Sequence, residues 1–414
     1  MKKCRILKQA DSIIVKYDVG DETMRCQVYE LGFLEEYKYV VVLSEYNGKI
    51  VLSRHKERTT WETQGGHIEQ GETPLDAAKR ELYEESGAVD FEIKPLCDYR
   101  AWNEETGHGA NGVVFHAVIR EFGAIPDSEM AEIQEFTELP ENLTYPAITP
   151  VLFNHLARKP ELHRMKLKAS PFSKIQNGTK TIELRLNDEK RQQVQVGDFI
   201  EFSQIDDTAQ KLTVRVTALH HFNSFAELYA ALPKEKLGYT PNETPDPDHM
   251  DAYYPHDKQE KYGVLGIEMR LTDLQKFVDA QEHGYSFGET YETALSEMKR
   301  GQKVSHWIWY VFPQIQGLGI SGTTAYFSIK DLHEAKDYYA HPVLGARLIE
   351  ITEELLKIQT DDPMAVFGYP DAYKVRSCMT LFKYAAPEQE LFQKVLDKFC
   401  RGMEDDKTVE ILGV

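Results

Sequence analysis

Residues 65–88 read Gly65-Gly66-His67-Ile68-Glu69-Gln70-Gly71-Glu72-Thr73-Pro74-Leu75-Asp76-Ala77-Ala78-Lys79-Arg80-Glu81-Leu82-Tyr83-Glu84-Glu85-Ser86-Gly87-Ala88. Thr73 is a good N-cap, and Pro74 suits the first helical position. Asp76 stands at the capping-box position, from which an acidic side chain reaches back to the N-cap. Gly87 is able to adopt the left-handed conformation that ends a helix. The stretch therefore predicts a loop that leads into one short helix, delimited at both ends by its own residues.

Three carboxylates share one face of that helix. Glu81, Glu84 and Glu85 fall at positions i, i+3 and i+4, which lie together on a helix surface. Like charges this close raise one another's pKa, so the arrangement is costly unless a cation lies between them. Oxygen ligands of this kind suit Mg²⁺ or Mn²⁺. The general alternative is a solvated acidic helix face, because exposed charge runs usually have no further role.

The spacing is particular enough to indicate a family. The pattern G-x5-E-x7-R-E-U-x-E-E-x-G-U, with U an aliphatic residue, fits from Gly66 to Ala88, and its seven fixed residues recur by chance on the order of once in 10⁸ starts. This resembles the Nudix box, although Ala88 is smaller than the usual final aliphatic residue and Gln64 stands where many members have proline. Neither departure removes a ligand. The resemblance implies an α/β/α sandwich that hydrolyses phosphoanhydride bonds.

The resemblance also implies a catalytic group and a set of metal ligands. The catalytic group is Glu72, Arg80, Glu81, Glu84 and Glu85. The metal ligands are the carbonyl of Gly65, the same three glutamates of the helix, and Glu132 from a later loop, with Glu129 as the alternative. Arg80 is expected to pair with Glu72 and to hold the loop against the helix. The implied cofactor, Mg²⁺ or Mn²⁺, neutralises phosphate oxygens and activates a water.

The composition limits the cellular setting. A chain of 414 residues has room for two or three domains. The net charge of −19 opposes non-specific adhesion to DNA or anionic membranes. Because the chain shows no signal-peptide layout and no apolar run near the roughly 20 residues of a membrane helix, we expect a cytoplasmic protein without membrane contact. The five cysteines are scattered and lack a CxxC pair, which predicts neither disulfides nor a zinc site: Cys4, Cys26, Cys97, Cys378 and Cys400.

Strand-like segments flank the box in a first domain predicted over residues 1–158. Segments 39–43 and 49–53 are joined through Asn47-Gly48, a preferred hairpin turn. The further predicted elements are strands at 91–96 and 112–119 and a closing helix at 149–156. Strands around a central helix, with a second helix at the end, suit the α/β/α sandwich.

A second domain, predicted over residues 162–271, contains alternating strands and turns. The segment contains two sequence signatures, G-x-K-T-x-E-x-R from Gly178 to Arg185 and V-G-D-x-I-x-F from Val196 to Phe202. With these signatures it resembles the ASCH domain, a small β-barrel related to the PUA RNA-binding fold. The predicted nucleotide- or RNA-binding residues are Lys180, Glu183 and Arg185. The alternative is a solvated strand face with a Lys180–Glu183 pair.

Some small ASCH proteins are amidohydrolases of acetylated cytidine. Their threonine is replaced here by Glu183, so the domain is interpreted first as a binder and second as such an enzyme. The insert 238–258, dense in Pro, Asp and Tyr, predicts a long loop over the site.

A third domain, predicted over residues 272–414, shows apolar residues at helical period. Its segment from Ser305 to Gln314 contains HWxWxxFPQ and resembles an uncharacterised bacterial family sometimes labelled calpastatin. Polar residues among these apolar ones need partners, which suggests a nucleotide or ADP-ribose pocket. Its candidate residues are His306, Trp307, Trp309, Gln314, His341, Asp371 and Lys374. The alternative is that the aromatic residues form core.

The leading hypothesis is therefore a metal-dependent Nudix pyrophosphohydrolase. Its substrate would be a nucleoside diphosphate linked to another group, such as an NTP, an oxidised dNTP or an ADP-ribose-like molecule, with RNA as a partner through the ASCH domain. Two alternatives stay open, namely a non-catalytic RNA- or nucleotide-binding module and a fusion centred on an ASCH amidohydrolase. Because degenerate Nudix binders typically lack box glutamates, the intact set favours the enzyme.

Overall fold

The computed structural model describes residues 23–319 and 321–414, so Cys4 lies outside the described residues. Internal contacts divide the chain into two compact units. The first comprises Met1–Lys159, Lys180–Gly197 and Val216–Met269, and the second comprises Pro160–Thr179, Asp198–Arg215 and Arg270–Val414. The predicted second domain contributes residues to both units. The boundaries near residues 158 and 271 stay predictions.

The first unit contains a seven-stranded mixed sheet with the order β1-β5-β6-β2-β3-β7, in which β4 pairs with β2. The strands are β1 (Met24–Tyr29), β2 (Tyr37–Tyr46), β3 (Lys49–His55), β4 (Gln64–His67), β5 (Ala88–Asn103), β6 (Gly109–Phe122) and β7 (Met130–Phe136). Two helices accompany the sheet, α1 (Pro74–Ser86) and α2 (Thr149–Ala157). The predicted hairpin between β2 and β3 is confirmed, since Asn47 and Gly48 have φ of 51° and 74°, as a primed turn requires.

Alternation along the strands builds two cores, one on each face of the sheet. Val42 and Val51 pack with Leu82 of α1. Val113 and Phe115 belong to the same core as Leu82. The sequence neighbours Leu43 and Leu52 pack on the other face of the sheet, with Leu152 and other residues of α2. Helices on both faces of a central sheet are the α/β/α sandwich, so that prediction is confirmed.

The five strands of the predicted ASCH segment form a second sheet with the order β8-β10-β11-β12-β9. They are β8 (Leu162–Leu167), β9 (Ile182–Leu186), β10 (Phe199–Gln204), β11 (Lys211–Phe222) and β12 (Val264–Thr272). Three helices are interleaved, α3 (Ala169–Gln176), α4 (Phe225–Ala231) and α5 (His256–Tyr262). The predicted long loop at 238–258 contains a short 3-10 turn at Pro247–Met250. A small β-rich second domain is thus confirmed.

The C-terminal segment is helical, as predicted. Its helices are α6 (Gln275–His283), α7 (Tyr291–Lys299), α8 (Ile308–Val311), α9 (Gly322–Tyr326), α10 (Leu332–Ala340), α11 (Leu344–Lys357), α12 (Pro363–Phe367), α13 (Asp371–Ala385), α14 (Leu391–Cys400) and α15 (Asp406–Leu412). Large aromatic residues, including Trp307, Tyr338 and Phe382, are fully buried in one core. Within the described residues, none of the helices combines the length and apolarity needed to cross a membrane.

Candidate active site

Helix α1 begins and ends at the predicted residues. Thr73 has extended backbone angles, and its hydroxyl accepts a hydrogen bond from the Asp76 N–H at 3.2 Å. The same hydroxyl donates to the Asp76 carboxylate at 2.6 Å. At the other end, Gly87 adopts a left-handed φ of 74°, and its N–H donates to the Tyr83 carbonyl at 2.8 Å. These contacts fix which carboxylates face the loop before the helix.

Two glycines let that loop lie flat on strand β2 and on the helix. Gly65 has φ of 154°, and a Cβ there would lie 2.3 Å from the Val40 carbonyl oxygen. A Cβ on Gly66 would lie 2.2 Å from Oε1 of Glu81. Gly65 is therefore required by the close approach of the Val40 backbone, whereas a side chain at Gly66 would fill the space that the Glu81 carboxylate occupies and would displace that carboxylate.

Arg80 joins the loop to the helix. Its guanidinium donates to both oxygens of Glu72, at 2.8 and 2.9 Å, and to the His67 carbonyl at 3.1 Å. Bidentate pairs of this kind are strong and directional. The hydrogen bonds from Arg80 and from the Glu69 N–H lower the pKa of Glu72 to about 2. The predicted Arg80–Glu72 contact is confirmed.

The three helix carboxylates do not converge on one point, which corrects the expectation of a single cluster. Arg80 also donates to Glu81 at 2.8 Å and contacts Glu84 at 3.4 Å. Glu85 instead turns to Gly65, whose N–H it accepts at 2.8 Å. Across residues 23–319 and 321–414, no three His, Cys, Asp or Glu side chains are grouped to hold a metal ion. The physical reason is that the guanidinium of Arg80 supplies the positive charge for Glu81 and Glu84.

Glu85 has the most strongly perturbed carboxyl of the helix. It is only 6 % exposed, and burial raises its pKa to about 9, with the Gly65 N–H opposing the rise and the charges of Glu81, Glu62 and Glu129 adding to it. Burial also raises the pKa of Glu81, against the hydrogen bond from Arg80. The groups that act most strongly on the pKa of Glu85 are the Gly65 N–H and three other carboxylates, so the site offers oxygen ligands and gathers negative charge. This arrangement fits a divalent ion.

The two later acidic candidates lie in different surroundings. Glu132 faces Arg54 across the β3–β7 pair, and its Oε1 lies 2.7 Å from one guanidinium nitrogen and 2.8 Å from another. Glu129 lies 3.5 Å from the His55 imidazole, and its charge acts on Glu85. Glu129 is therefore the later acid whose charge reaches Glu85, whereas the Glu132 carboxylate is paired with Arg54.

Sequence reasoning missed a polar group beneath the end of α1. Ser53 donates to the Glu85 carbonyl at 2.8 Å and accepts from Gln64 at 2.7 Å. Glu62 is 4 % exposed, and one of its oxygens accepts from Arg58 at 2.8 Å. Among the described residues, its other oxygen has no hydrogen-bond partner. The sequence signal for this buried polar group was the alternation of two polar residues, Glu62 and Gln64, just before Gly65 and Gly66.

The predicted residues of the ASCH segment meet in one buried cluster. Glu183 lies 3.4 Å from the Lys180 ammonium and 3.0 Å from the Arg185 guanidinium. Arg185 also donates at 3.2 Å to the hydroxyl of Tyr254, which lies in the predicted insert. Lys180 and Glu183 are 8 % and 5 % exposed. The Lys180–Glu183 pair of the alternative interpretation is present, but the strand face is not solvated.

The candidate residues of the third domain separate into two groups. Trp307 is fully buried, and its indole N–H donates to Glu297 at 2.8 Å. His341 is buried as well, and its Nδ1 accepts the N–H groups of Val343 and Leu344, both at 3.3 Å, at the start of α11. The Trp307 side chain is part of the core, and the His341 side chain accepts N–H groups at the start of α11. This corrects the prediction that the two residues line a pocket.

The remaining candidates are more exposed. Asp371 bonds to Lys374 at 2.9 Å, and the Lys374 ammonium lies 4.6 Å from the Trp309 ring centroid. The side chain of His306 is exposed, and the main-chain carbonyl of Gln314 accepts from the Ile329 N–H. The structure thus brings Trp309, Asp371 and Lys374 together.

Comparison with known families finds three matches in chain order. A model of the NUDIX domain matches residues 37–147, a model of the ASCH domain matches residues 165–273, and a model described as a protein of unknown function, DUF1810, matches residues 271–412. The predicted order of Nudix and ASCH domains is confirmed. The calpastatin-labelled family is not confirmed by the third match.

Known relatives cover parts of the chain. A putative 8-oxo-dGTP diphosphatase of Bacillus subtilis is 31% identical over 128 residues, which are 31% of this chain and 79% of the relative. An RNA pyrophosphohydrolase of Francisella philomiragia is 36% identical over 62 residues, which are 15% of this chain and 40% of the relative. The chain therefore spans less than half of the RNA pyrophosphohydrolase it matches. A solved conserved hypothetical protein from Mycobacterium tuberculosis, 39% identical, aligns with 34% of this chain and 97% of its own, with a TM-score of 0.32.

Proposed function

This chain belongs to the Nudix family through residues 37–147, and we propose that its first domain is a divalent-metal-dependent pyrophosphohydrolase. The substrate class is a nucleoside diphosphate linked to another group, which includes NTPs, 8-oxo-dGTP, ADP-ribose-like molecules and the 5′ end of RNA. The observation that carries the proposal is the buried Glu85 carboxyl, which lies among acidic neighbours against the Gly65 loop.

The proposed metal ligands combine the sequence pattern with the geometry of the loop. They are the carboxylates of Glu81, Glu84 and Glu85, the carbonyl of Gly65, and Glu129. Because Arg80 contacts Glu81 and Glu84 in this structure, these two side chains would have to turn from Arg80 to bind an ion together with Glu85. When bound, a divalent ion offsets the charge of the phosphate oxygens and makes a water more acidic. Arg80 and Glu72 hold the Gly65 loop against α1, so they position the ligands rather than touch the substrate.

Glu85 also has a role as a proton carrier in this proposal. A carboxyl with a pKa near 9 holds its proton at neutral pH in the protein alone. A bound divalent cation would favour the ionised form of Glu85, and the proton would pass to solvent. The Glu85 carboxylate is then able to orient or accept a proton from a water beside it.

The test is an assay with Mg²⁺ or Mn²⁺ on NTPs, 8-oxo-dGTP, ADP-ribose and 5′-triphosphate RNA. Wild type is expected to hydrolyse at least one class, and Glu85→Gln to lose about 10³-fold or more of that rate. Glu121→Gln, an exposed site on β6, is the matched control and should keep full activity. If wild type bound these ligands but wild type and Glu85→Gln hydrolysed them equally slowly, the non-catalytic alternative would replace the enzyme.

For the ASCH segment we propose a phosphate-binding role toward a nucleotide or RNA. Lys180 and Arg185 both contact the buried Glu183 carboxylate, so the segment gathers cationic side chains in a chain whose net charge is −19. Cationic side chains gathered in this way favour an anionic group. Substituting Arg185→Met should weaken RNA or nucleotide binding without changing hydrolysis of a small NTP. Release of acetate from acetylated cytidine would instead support the amidohydrolase alternative.

A further inference from the structure

The insert of the second domain, taken here as residues 239–262, lies against the cluster of Lys180, Glu183 and Arg185. The side chains of these three residues are only 8%, 7% and 14% exposed, so a ligand does not reach the cluster from solvent in this conformation. The hydroxyl of Tyr254, within the insert, accepts a hydrogen bond from Arg185 at 3.2 Å. An oxygen of the insert therefore contacts the guanidinium at which an oxygen of an anionic ligand would bind.

The insert itself buries little surface. Among its residues, all of which the structure describes, only Gln259 is buried. Tyr239, Met250 and Tyr254 are partly buried against the hydrophobic core beneath β9. A segment with few buried contacts opens at a lower free-energy cost than the sheet on which it lies. The insert is therefore able to open while the sheet stays folded.

Glycines with positive φ stand at both ends of the insert. Gly238 has φ of 90° and Gly263 has φ of 71°, and such positions absorb the backbone rotation that moves a lid. Between them, Gln259 accepts the Phe225 N–H at 3.3 Å and donates to the Tyr254 carbonyl at 2.8 Å. The Tyr254 ring also stacks on Phe225, with centroids 5.5 Å apart. These contacts fix which tyrosine of the insert faces the cluster.

The insert is acidic. Its six Asp and Glu residues and two Lys residues give it a formal charge of −4. Negative charge at the entrance of a site repels a nucleotide or RNA that approaches it. The closed insert therefore opposes an anionic ligand in two ways, because it covers the cluster and because its charge has the same sign as that of the ligand.

We propose that the insert is an autoinhibitory lid of the ASCH segment and that Tyr254 is its latch on Arg185. When the lid opens, a phosphate oxygen of the nucleotide or RNA takes the place of the tyrosine hydroxyl at the guanidinium. This rests on the phosphate-binding role proposed above for the cluster. Since only the open form binds, the observed Kd equals the intrinsic Kd divided by the open fraction. A weaker latch should therefore tighten binding.

The binding experiment compares the full chain with Tyr254→Phe, which removes the latch hydroxyl and keeps the ring that stacks on Phe225. The probe is a 3′-fluorescein U12 oligonucleotide with a 5′-hydroxyl, read by fluorescence anisotropy in EDTA, so the proposed hydrolase activity does not contribute. We expect Tyr254→Phe to bind about tenfold more tightly than wild type, because a hydrogen bond to a charged group no longer holds the lid closed. In the Arg185→Met background, Tyr254→Phe should bring no gain.

A second experiment measures opening without any ligand. The Lys180 ammonium donates to the Leu237 carbonyl at 3.4 Å and is buried, so acetylation by N-hydroxysuccinimide acetate reports the open fraction. Mass spectrometry should show Lys180 acetylated about tenfold faster in Tyr254→Phe than in wild type. The exposed Lys258 is the internal reference. Tyr253→Phe is the matched control, because Tyr253 is 56% exposed in the same insert, and it should behave as wild type in both experiments.

Two results would overturn the lid. The first is Lys180 acetylation in Tyr254→Phe no faster than in wild type, which would make Tyr254 a fixed part of the fold. The second is an equal acceleration in Tyr253→Phe, which would show that the contact with Arg185 has no special role. Absence of RNA binding by every variant would instead refute the phosphate-binding role of the cluster, and Lys180 acetylation would then decide the lid by itself.

Discussion

Replacing Glu85 with glutamine should stabilise the metal-free protein while removing its activity. In the folded chain the pKa of Glu85 is raised from 4.5 to about 9, chiefly by burial. Folding therefore favours the protonated form, and the stability that this group contributes is complete below pH 4.5 and is lost as the pH rises toward 9. At pH 7 the loss corresponds to the interval from 4.5 to 7, or about 3 kcal/mol. Glutamine cannot ionise, so it avoids this loss.

The amide substitution keeps the main contact of the site. The side-chain oxygen of glutamine is able to accept the Gly65 N–H, as Oε2 of the Glu85 carboxyl does at 2.8 Å. The new NH₂ group needs a partner, which costs about 1 kcal/mol. We therefore expect Glu85→Gln to be more stable than wild type by about 2 kcal/mol at pH 7 in EDTA. Below pH 4.5 the difference should disappear or reverse.

Amide hydrogen exchange of α1 and β2 measures the difference in stability between Glu85→Gln and wild type. It reports on the first domain alone, without a contribution from unfolding of the other domains. Wild type should gain protection when Mg²⁺ is added, and Glu85→Gln should gain much less. Glu121→Gln serves as the exposed control and should behave as wild type. A variant that is less stable than wild type in EDTA at pH 7, with the same pH dependence, would refute the reasoning about Glu85.

Three further predictions concern the same site. Gly66→Ala should lower kcat more than about tenfold with a smaller effect on melting temperature, because its Cβ would lie 2.2 Å from the Glu81 carboxylate and displace a ligand. Gly322→Ala is the control, since an added Cβ there meets nothing within 4 Å, and equal losses of kcat in the two variants would contradict this prediction. Glu129→Gln should weaken Mg²⁺ binding measured by calorimetry, because the charge of Glu129 acts on Glu85, whereas Glu132→Gln, on a carboxylate that faces Arg54, should have a smaller effect. Mg²⁺ affinity should rise up to about tenfold per pH unit between pH 6 and 8, because Glu85 must release a proton to bind a cation; an affinity independent of pH would show that Glu85 is already ionised.

Local chemistry made the ends of α1 predictable from the sequence. Thr73 as the N-cap, Pro74 in the first turn and Gly87 with its positive φ determine where the helix begins and ends through residues only a few positions away. The turn at Asn47-Gly48 was predictable for the same reason. The Arg80–Glu72 pair also lies within one loop and one helix, and the family pattern identified it.

Contacts that depend on strand register were not predictable. Whether Glu129 or Glu132 approaches α1 depends on the β3–β7 pairing, which sets Arg54 opposite Glu132. The sequence does not encode that pairing locally. Glu62 was missed because its burial depends on packing between distant segments.

Aromatic residues of the third domain raised a different difficulty. Trp307 and Trp309 are two residues apart in one motif, yet Trp307 is fully buried and Trp309 is half-buried beside Lys374. A motif alone does not separate core residues from surface residues on a short helix.

The most direct test of the central claim is product analysis by mass spectrometry in ¹⁸O-labelled water with Mg²⁺ and the substrate panel. Wild type should release a nucleoside monophosphate or an RNA 5′-monophosphate, with one labelled oxygen in one of the two phosphate products, at a rate at least about 10³-fold above that of Glu85→Gln. Equal label incorporation by the two proteins, at the rate without enzyme, would contradict the assignment of α1 as a catalytic metal site.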